Sequence, residues 1–215
     1  MVHRREIGGT ELVLGNQGAL WGNAMTWWDT ETGSVWSQPI GEAILGSRTG
    51  ERLELLPSTL SPWADWRAAH PDTLALDVDS GSDGFDLKDI AIVVELGPDS
   101  TAYPAPDLRR VGVVNGIVDD VPIAVVLEPD SDQWSVFSRR LDSEVIELEL
   151  VDGELREIGG ERGFDPLRGL PLEAGSEGLD LLPGFTSFPR DYTTFFPQGS
   201  FWTEDGVVSV ESLLD

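Results

Sequence analysis

The sequence predicts a mainly β protein, built from a duplicated β-rich unit with a strand-Pro-short-helix element in each copy, packed into one globule. Three observations predict it. Short runs of β-branched, leucine and aromatic residues recur along the 215 residues, bounded by clusters of Gly, Pro, Asn and Asp. Few segments carry helix punctuation. Residues 53–71, LELLPSTLSPWADWRAAHP, and 179–197, LDLLPGFTSFPRDYTTFFP, have equal length and match without a gap at both leucine pairs, both framing prolines and an aspartate.

In order, residues 11–14 and 24–28 are expected strands, separated by a Gly/Asn-rich turn over 15–22. A turn over 29–33 leads to an extended piece at 35–38, and 40–45 is a short apolar piece between glycines. In the first matched segment Leu53-Glu54-Leu55-Leu56 is a short strand that Pro57 ends, because proline cannot donate a ladder hydrogen bond. Ser61 is the expected N-cap with Pro62 at the first helical position. Trp63 and Trp66 share a helix face, and Pro71 stops the helix. In the second segment Asp191, Tyr192, Phe196 and Pro197 stand for Asp65, Trp66, His70 and Pro71.

An extended run over 73–78 precedes a Gly/Ser-rich linker. Strands are then expected over 90–96, 101–104, 111–114, 123–127 and 135–139. Residues 145–150 alternate as a half-solvated strand should, and Asp152-Gly153 turns the chain back into 155–158. A last strand falls at 207–210. The division that follows is a first, incomplete repeat over 1–79, a linker over 80–86, a second repeat over 87–200 and a tail strand within 201–215.

Composition excludes several functions. Asp plus Glu number 39 against 14 Lys plus Arg, a net charge of −25, and the acids are scattered along the chain. A nucleic-acid surface needs a basic patch that displaces counterions, and an anionic membrane attracts basic residues; neither partner is expected. Of the basic residues only Lys88 is a lysine. Acid excess with lysine depletion is the composition of a protein that folds in high salt, where screening relieves self-repulsion; the plainer reading is an acidic protein from a GC-rich bacterium. The chain has no cysteine, hence no disulfide or thiolate chemistry. No apolar run is long enough for a membrane helix, and the first residues lack the apolar stretch of a signal peptide. Taken at face value the location is cytoplasmic, with an extracytoplasmic site open if the start is truncated.

The segment 26–73 resembles the domain-of-unknown-function family 3179. The residues that carry the resemblance are Trp36-Ser37-Gln38, Gly41-Glu42-Ala43-Ile44, Gly46, Leu53-Glu54-Leu55-Leu56-Pro57, Trp63, Trp66 and His70-Pro71-Asp72-Thr73. A second region, Ala102-Tyr103-Pro104, Val113-Val114-Asn115 and Val121-Pro122-Ile123-Ala124-Val125, is also similar to the family. The resemblance implies a repeat in which an Ala-Tyr-Pro and Val-Asn-Asp block precedes each Trp-Ser-Gln block, so this chain begins near the middle of such a unit. The family's cysteine-containing motif has no thiol here, residues 125–131 reading VVLEPDS, and no metal or redox role carries over. The family has no established activity, so it implies fold and repeat logic but no reaction.

No catalytic signature is present: no phosphate loop, no zinc-binding helix motif, no nucleophile elbow. With His3 and His70 as the two histidines, a histidine-rich metal site cannot form. The candidate ligand-binding residues are Trp36, Ser37, Gln38, Glu42, His70 and Asn115. Trp36 with Gln38 and Glu42 offers an indole, an amide and a carboxylate for a sugar or small polar ligand, against a plain core tryptophan. The second copy keeps the aromatic and the glycine, as Phe164 and Gly169, but loses the polar groups. His70 ends a helix beside tryptophans and reads as a packed residue more than a ligand or base. Asn115 before Gly116 reads as a turn. Acid pairs such as Asp119-Asp120 and Asp130 with Asp132 suit calcium, though so acidic a chain holds such pairs in any case. No cofactor is expected. The function expected is a non-catalytic structural or binding module, an accessory subunit that pairs with a protein partner or with itself through unpaired strands of the first repeat. The alternative is a hydrolase using Glu42 with Asp29 or Glu31; a third reading is a surface adhesion module.

Overall fold

A computed structural model describes residues 1–74 and 90–213. The expected linker over 80–86, and most of the run over 73–78, lie outside the described residues. The first part holds a small hairpin, β1 (Glu6–Ile7) and β2 (Thr10–Glu11), then a meander of β3 (Leu14–Trp21), β4 (Ala24–Asp29), β5 (Val35–Ser37) and β6 (Ala43–Leu45), then helix α1 (Trp63–Ala69). The second part begins with β7 (Ala91–Leu96), β8 (Asp99–Pro104), α2 (Ala105–Val111), β9 (Val113–Val118), β10 (Val121–Leu127) and β11 (Trp134–Ser138). It continues with β12 (Arg140–Leu141), β13 (Glu144–Val145), β14 (Leu148–Val151), β15 (Glu154–Glu157), β16 (Gly163–Phe164), β17 (Phe185–Ser187), α3 (Pro189–Phe195), β18 (Ser200–Thr203) and β19 (Gly206–Ser209). The protein is mainly β, as expected. No helix among the described residues is long and apolar enough to cross a membrane.

The core is layered. A five-stranded sheet, β17-β7-β8-β18-β19, and a three-stranded sheet, β11-β10-β9, face each other. Ile92 and Val94 of β7 meet Ile123, Val125 and Leu127 of β10 between them, with Tyr103, Leu108 and Trp134. The opposite face of β7, Ala91 and Val93, packs on Phe185, Tyr192 and Phe201. The opposite face of β10, Ala124 and Val126, packs on Phe137, Leu148, Leu155 and Phe164. Both strands are therefore covered on two sides, which is why they read as continuous apolar runs rather than alternating ones. Tyr192 ties α3 into this core: its hydroxyl lies 3.0 Å from Ser100 Oγ and 3.1 Å from the Ser200 carbonyl.

Several local expectations are corrected. Residues 15–22 are not a turn: β3 runs through them to Trp21 with a bulge between Asn16 and Leu20, and the reversal comes at Gly22 and Asn23, both at positive φ. Asn115 is not a turn residue: it sits within β9 opposite Ala124, and the turn is displaced to Asp119 and Asp120, which carry the positive φ values. Helix α2 stands where the sequence predicts none; Pro104, at φ −58, and Gly112, at φ 72, frame it. Residues 53–57 and 179–183 form single bridges, His3–Leu55 and Phe137–Leu181, rather than strands. Ser61 does not cap α1; its hydroxyl goes to Gln133 Oε1, 3.2 Å away. The run 145–150 breaks after Val145, where the backbone leaves β13 and Ile146 N donates to Arg139 O.

Matching backbone hydrogen bonds recur in the two parts. Arg4 N to Glu54 O and Leu56 N to Val2 O (both 2.8 Å) have the counterparts Ser138 N to Asp180 O and Leu182 N to Val136 O (2.9 and 2.8 Å). Leu12 N to Arg5 O matches Ile146 N to Arg139 O, Ser37 N to Glu42 O matches Asp165 N to Leu170 O, and Leu53 N to Gly41 O matches Leu179 N to Gly169 O. The hairpin turns match as well: Gly8-Gly9 and Asp142-Ser143 are both pairs at positive φ.

Candidate functional site

Trp36, on β5, is fully buried, and its Nε1 donates to Asp29 Oδ2 at 2.8 Å. Asp29 is itself buried and accepts from the Thr32 hydroxyl and N–H. Burial acts to raise the Asp29 pKa, but these donors from Trp36 and Thr32 outweigh it and hold the carboxyl below its ordinary value. Ser37 is buried with its Oγ unpartnered, and Gln38 is half-buried with its backbone carbonyl 3.1 Å from His3 Nε2. Glu42 is half-buried and lines a cleft of about 250 Å³ with Arg52, Glu95, Ser100 and Phe196. Trp36 and Gln38 do not line that cleft. The indole is buried on Asp29, and the Glu42 carboxylate lines a cleft that neither Trp36 nor Gln38 lines, so that cleft does not unite the predicted cluster, and Asp29 is committed to Trp36. Glu31, exposed at the turn, accepts from Val13 N at 3.2 Å.

Asn115 spans two sheets. Its Nδ2 donates to Leu148 O at 2.8 Å and its Oδ1 accepts from Leu148 N at 2.9 Å, so it satisfies both backbone groups of one residue across the β9–β14 junction. Asp132 pairs with Arg109. Among the described residues no group of three or more His, Asp or Glu side chains is placed to hold a metal ion.

The feature that sequence reasoning missed is a difference in cover between the two matched regions. In the second, Phe137, Leu141, Leu148 and Leu155 are 0–3% exposed beneath Val113, Ala124 and Val126 of β9 and β10. At the matching places in the first, His3, Ile7, Leu14 and Trp27 are half-buried. The edges differ in the same way. β11 is bonded by β10 on one side and by residues 180–182 on the other. Residues 2–4 are bonded by 54–56 alone, among the described residues. Because antiparallel bonds alternate, the His3 N–H and C=O face the open side.

Two arginines report the same asymmetry. Arg139 is buried and donates to three carbonyls: Ile123 O (2.9 Å), Ile146 O (2.8 Å) and Gly116 O (3.2 Å). Burial lowers its pKa, opposed by Glu147. Arg5, its counterpart, reaches Leu12 O at 3.4 Å, the match of Ile146 O, and otherwise pairs at the surface with Glu11. The carbonyls that β9 and β10 offer to Arg139 have no counterpart beside Arg5 among the described residues. His3, in the place of Phe137, has a pKa lowered chiefly by burial, and its Nδ1 is buried without a partner.

These features define a mainly β protein whose first part presents, among the described residues, a half-covered apolar face and an unpaired strand edge. Residues 1–86 match the model of a family described as protein of unknown function (DUF3179). The match covers the segment 26–73, and nothing in it extends to residues 102–125. Comparison with curated proteins, and with solved structures, gives no match.

Proposed function

We propose that the chain is a non-catalytic binding module, an accessory subunit adapted to high salt, whose first part docks a β-hairpin carried by a second polypeptide. The reading takes the two parts as copies of one unit. In the second copy the hairpin β9–β10 covers the core, pairs with β11 and feeds carbonyls to Arg139. The first copy has a similar core, the same edge and the same arginine, but among the described residues nothing covers its face as β9–β10 cover the second. The observation that carries the reading is that contrast between the half-buried Ile7, Leu14 and Trp27 and the buried Leu141, Leu148 and Leu155. The occupant is an antiparallel hairpin with small or β-branched residues on one face, chemically like Val113, Ala124 and Val126. Main-chain bonds supply affinity in such strand addition and side-chain pockets supply specificity.

The test is titration of the protein with a synthetic hairpin of residues 113–127, followed by changes in tryptophan fluorescence and amide chemical shifts of residues 2–5. Saturable binding is expected. His3→Pro, which removes a donor from the open edge and no backbone bond to residues 54–56, though it also removes the His3 side-chain contact with the Gln38 carbonyl, and Arg5→Ala should each weaken it about tenfold. No binding at millimolar hairpin, or binding unchanged by both substitutions, overturns the proposal. The hydrolase alternative is less favoured, since Trp36 is buried on Asp29 and neither Trp36 nor Gln38 lines the cleft that Glu42 lines.

A further inference from the structure

A second candidate site lies beside helix α1, with lining residues distinct from those of the hairpin-docking face. A cleft of about 500 Å³ opens between α1 and the second part, with Pro57, Trp66, His70, Leu167, Arg168 and Leu181 in its walls. That volume is in the range that holds a small organic molecule. Its walls are mostly apolar, and no carboxylate lines it among the described residues, in a chain of 39 acids. Two lining residues carry buried polar atoms with no partner: His70 Nε2 and Arg168 Nε. Buried polar atoms are ordinarily paired, so an unpaired couple on one cleft asks for a ligand acceptor. The His70 ring lies against Trp66, centroids 4.0 Å apart, and Trp66 Nε1 is engaged by Thr73 Oγ1 at 3.1 Å, which holds both rings in place. Asp165 neutralises one end of Arg168 through Nη2 at 2.9 Å and leaves Nε free.

In the other matched region the counterparts of His70 and Arg168 are Phe196 and Ile40, so the fold itself does not require polar groups at these positions. Around Ile40, Leu55 and Pro183 a carboxylate of the chain is present instead: Glu95, bonded to Arg52 at 2.6 Å. We infer that the α1 cleft binds a small monocarboxylate with a flat apolar body, its carboxylate taken by Arg168 and His70 and its body by Trp66, Leu167 and Leu181. This site is separate from the hairpin-docking face and does not depend on it.

The probe is phenylacetate, titrated against the full chain by calorimetry and by tryptophan fluorescence at constant ionic strength. Its uncharged isostere phenylacetamide and inorganic phosphate serve as controls. Saturable binding of phenylacetate is expected, at least tenfold tighter than either control. His70→Phe and Arg168→Ile, each the residue that the matching region carries, should each weaken it at least tenfold. Trp66→Phe should abolish the fluorescence response. Equal affinity for the amide overturns the carboxylate assignment, and equal affinity for phosphate overturns the apolar one. No binding at millimolar phenylacetate overturns the site. Should a substituted chain fail to fold, the acid-versus-amide comparison on the unaltered protein still decides. Failure here leaves hairpin docking untouched, since that is read by a different ligand at residues 2–5.

Discussion

Trp36 shows how a residue pattern can point to a ligand and serve the core instead. An indole beside serine, glutamine and a nearby glutamate has the composition of a sugar site. What decides its role is Asp29, seven positions earlier, which the β4–β5 pairing brings to the indole nitrogen. Residue types alone do not reveal that pairing, since Asp29 reads equally well as a turn aspartate. Asp29→Ala leaves the Trp36 N–H buried without an acceptor, and a loss of at least about 2 kcal/mol is expected in urea unfolding. The pH dependence has a definite sign. A carboxyl whose folded pKa lies below its unfolded value stabilises above the unfolded pKa, and that contribution is lost as pH falls through the folded value. The alanine variant should therefore lose less stability than the parent on acidification below about pH 4.

At the scale of elements, the sequence is most informative where a strand is buried on two sides or a helix is punctuated by proline. β7, β10, α1 and α3 are all legible for those reasons. Legibility fails where long-range pairing overrides local signals. The Asn/Gly content of β3 and the Asn-Gly of β9 look like turns, yet both are held extended by neighbouring strands. The open face cannot be read from sequence at all, because exposure of Ile7, Leu14 and Trp27 depends on which strands lie above them. Arg139 and Arg5 give this contrast a measurable form. Arg139→Leu strips two buried carbonyls and one half-buried carbonyl of this donor and should cost about 3 kcal/mol, close to the upper range for one residue's buried bonds. Arg5→Leu, at an exposed position in the isolated chain, should change stability by less than about 0.5 kcal/mol. Urea unfolding of the two variants side by side checks both values.

For the whole molecule, charge is the strongest influence beyond the core. The net charge of −25 places like charges over most of the surface, and the arginines are largely spent on local pairs such as Arg162–Glu157 (2.7 Å) and Arg48–Glu51 (2.7 Å). Screening at molar salt shortens the reach of that repulsion to about 3 Å. The melting temperature should rise between dilute buffer and molar KCl; a flat or falling value removes the case for high-salt adaptation. The central sheet carries a further consequence, one of timing. β7 and β8 form a hairpin well before the end of the chain, yet their flanking partners β17 and β18 come from near its end, and Tyr192 closes on Ser100 across 92 residues. A nascent chain leaving the ribosome therefore holds a two-faced apolar hairpin with both flanks unpaired until the last strands emerge. Such long-range closure slows folding and exposes the intermediate to aggregation. Concentrated salt strengthens the association of apolar surfaces and screens the charge that would otherwise hold unfinished chains apart, so the interval before the last strands emerge is more hazardous in molar salt than in dilute buffer.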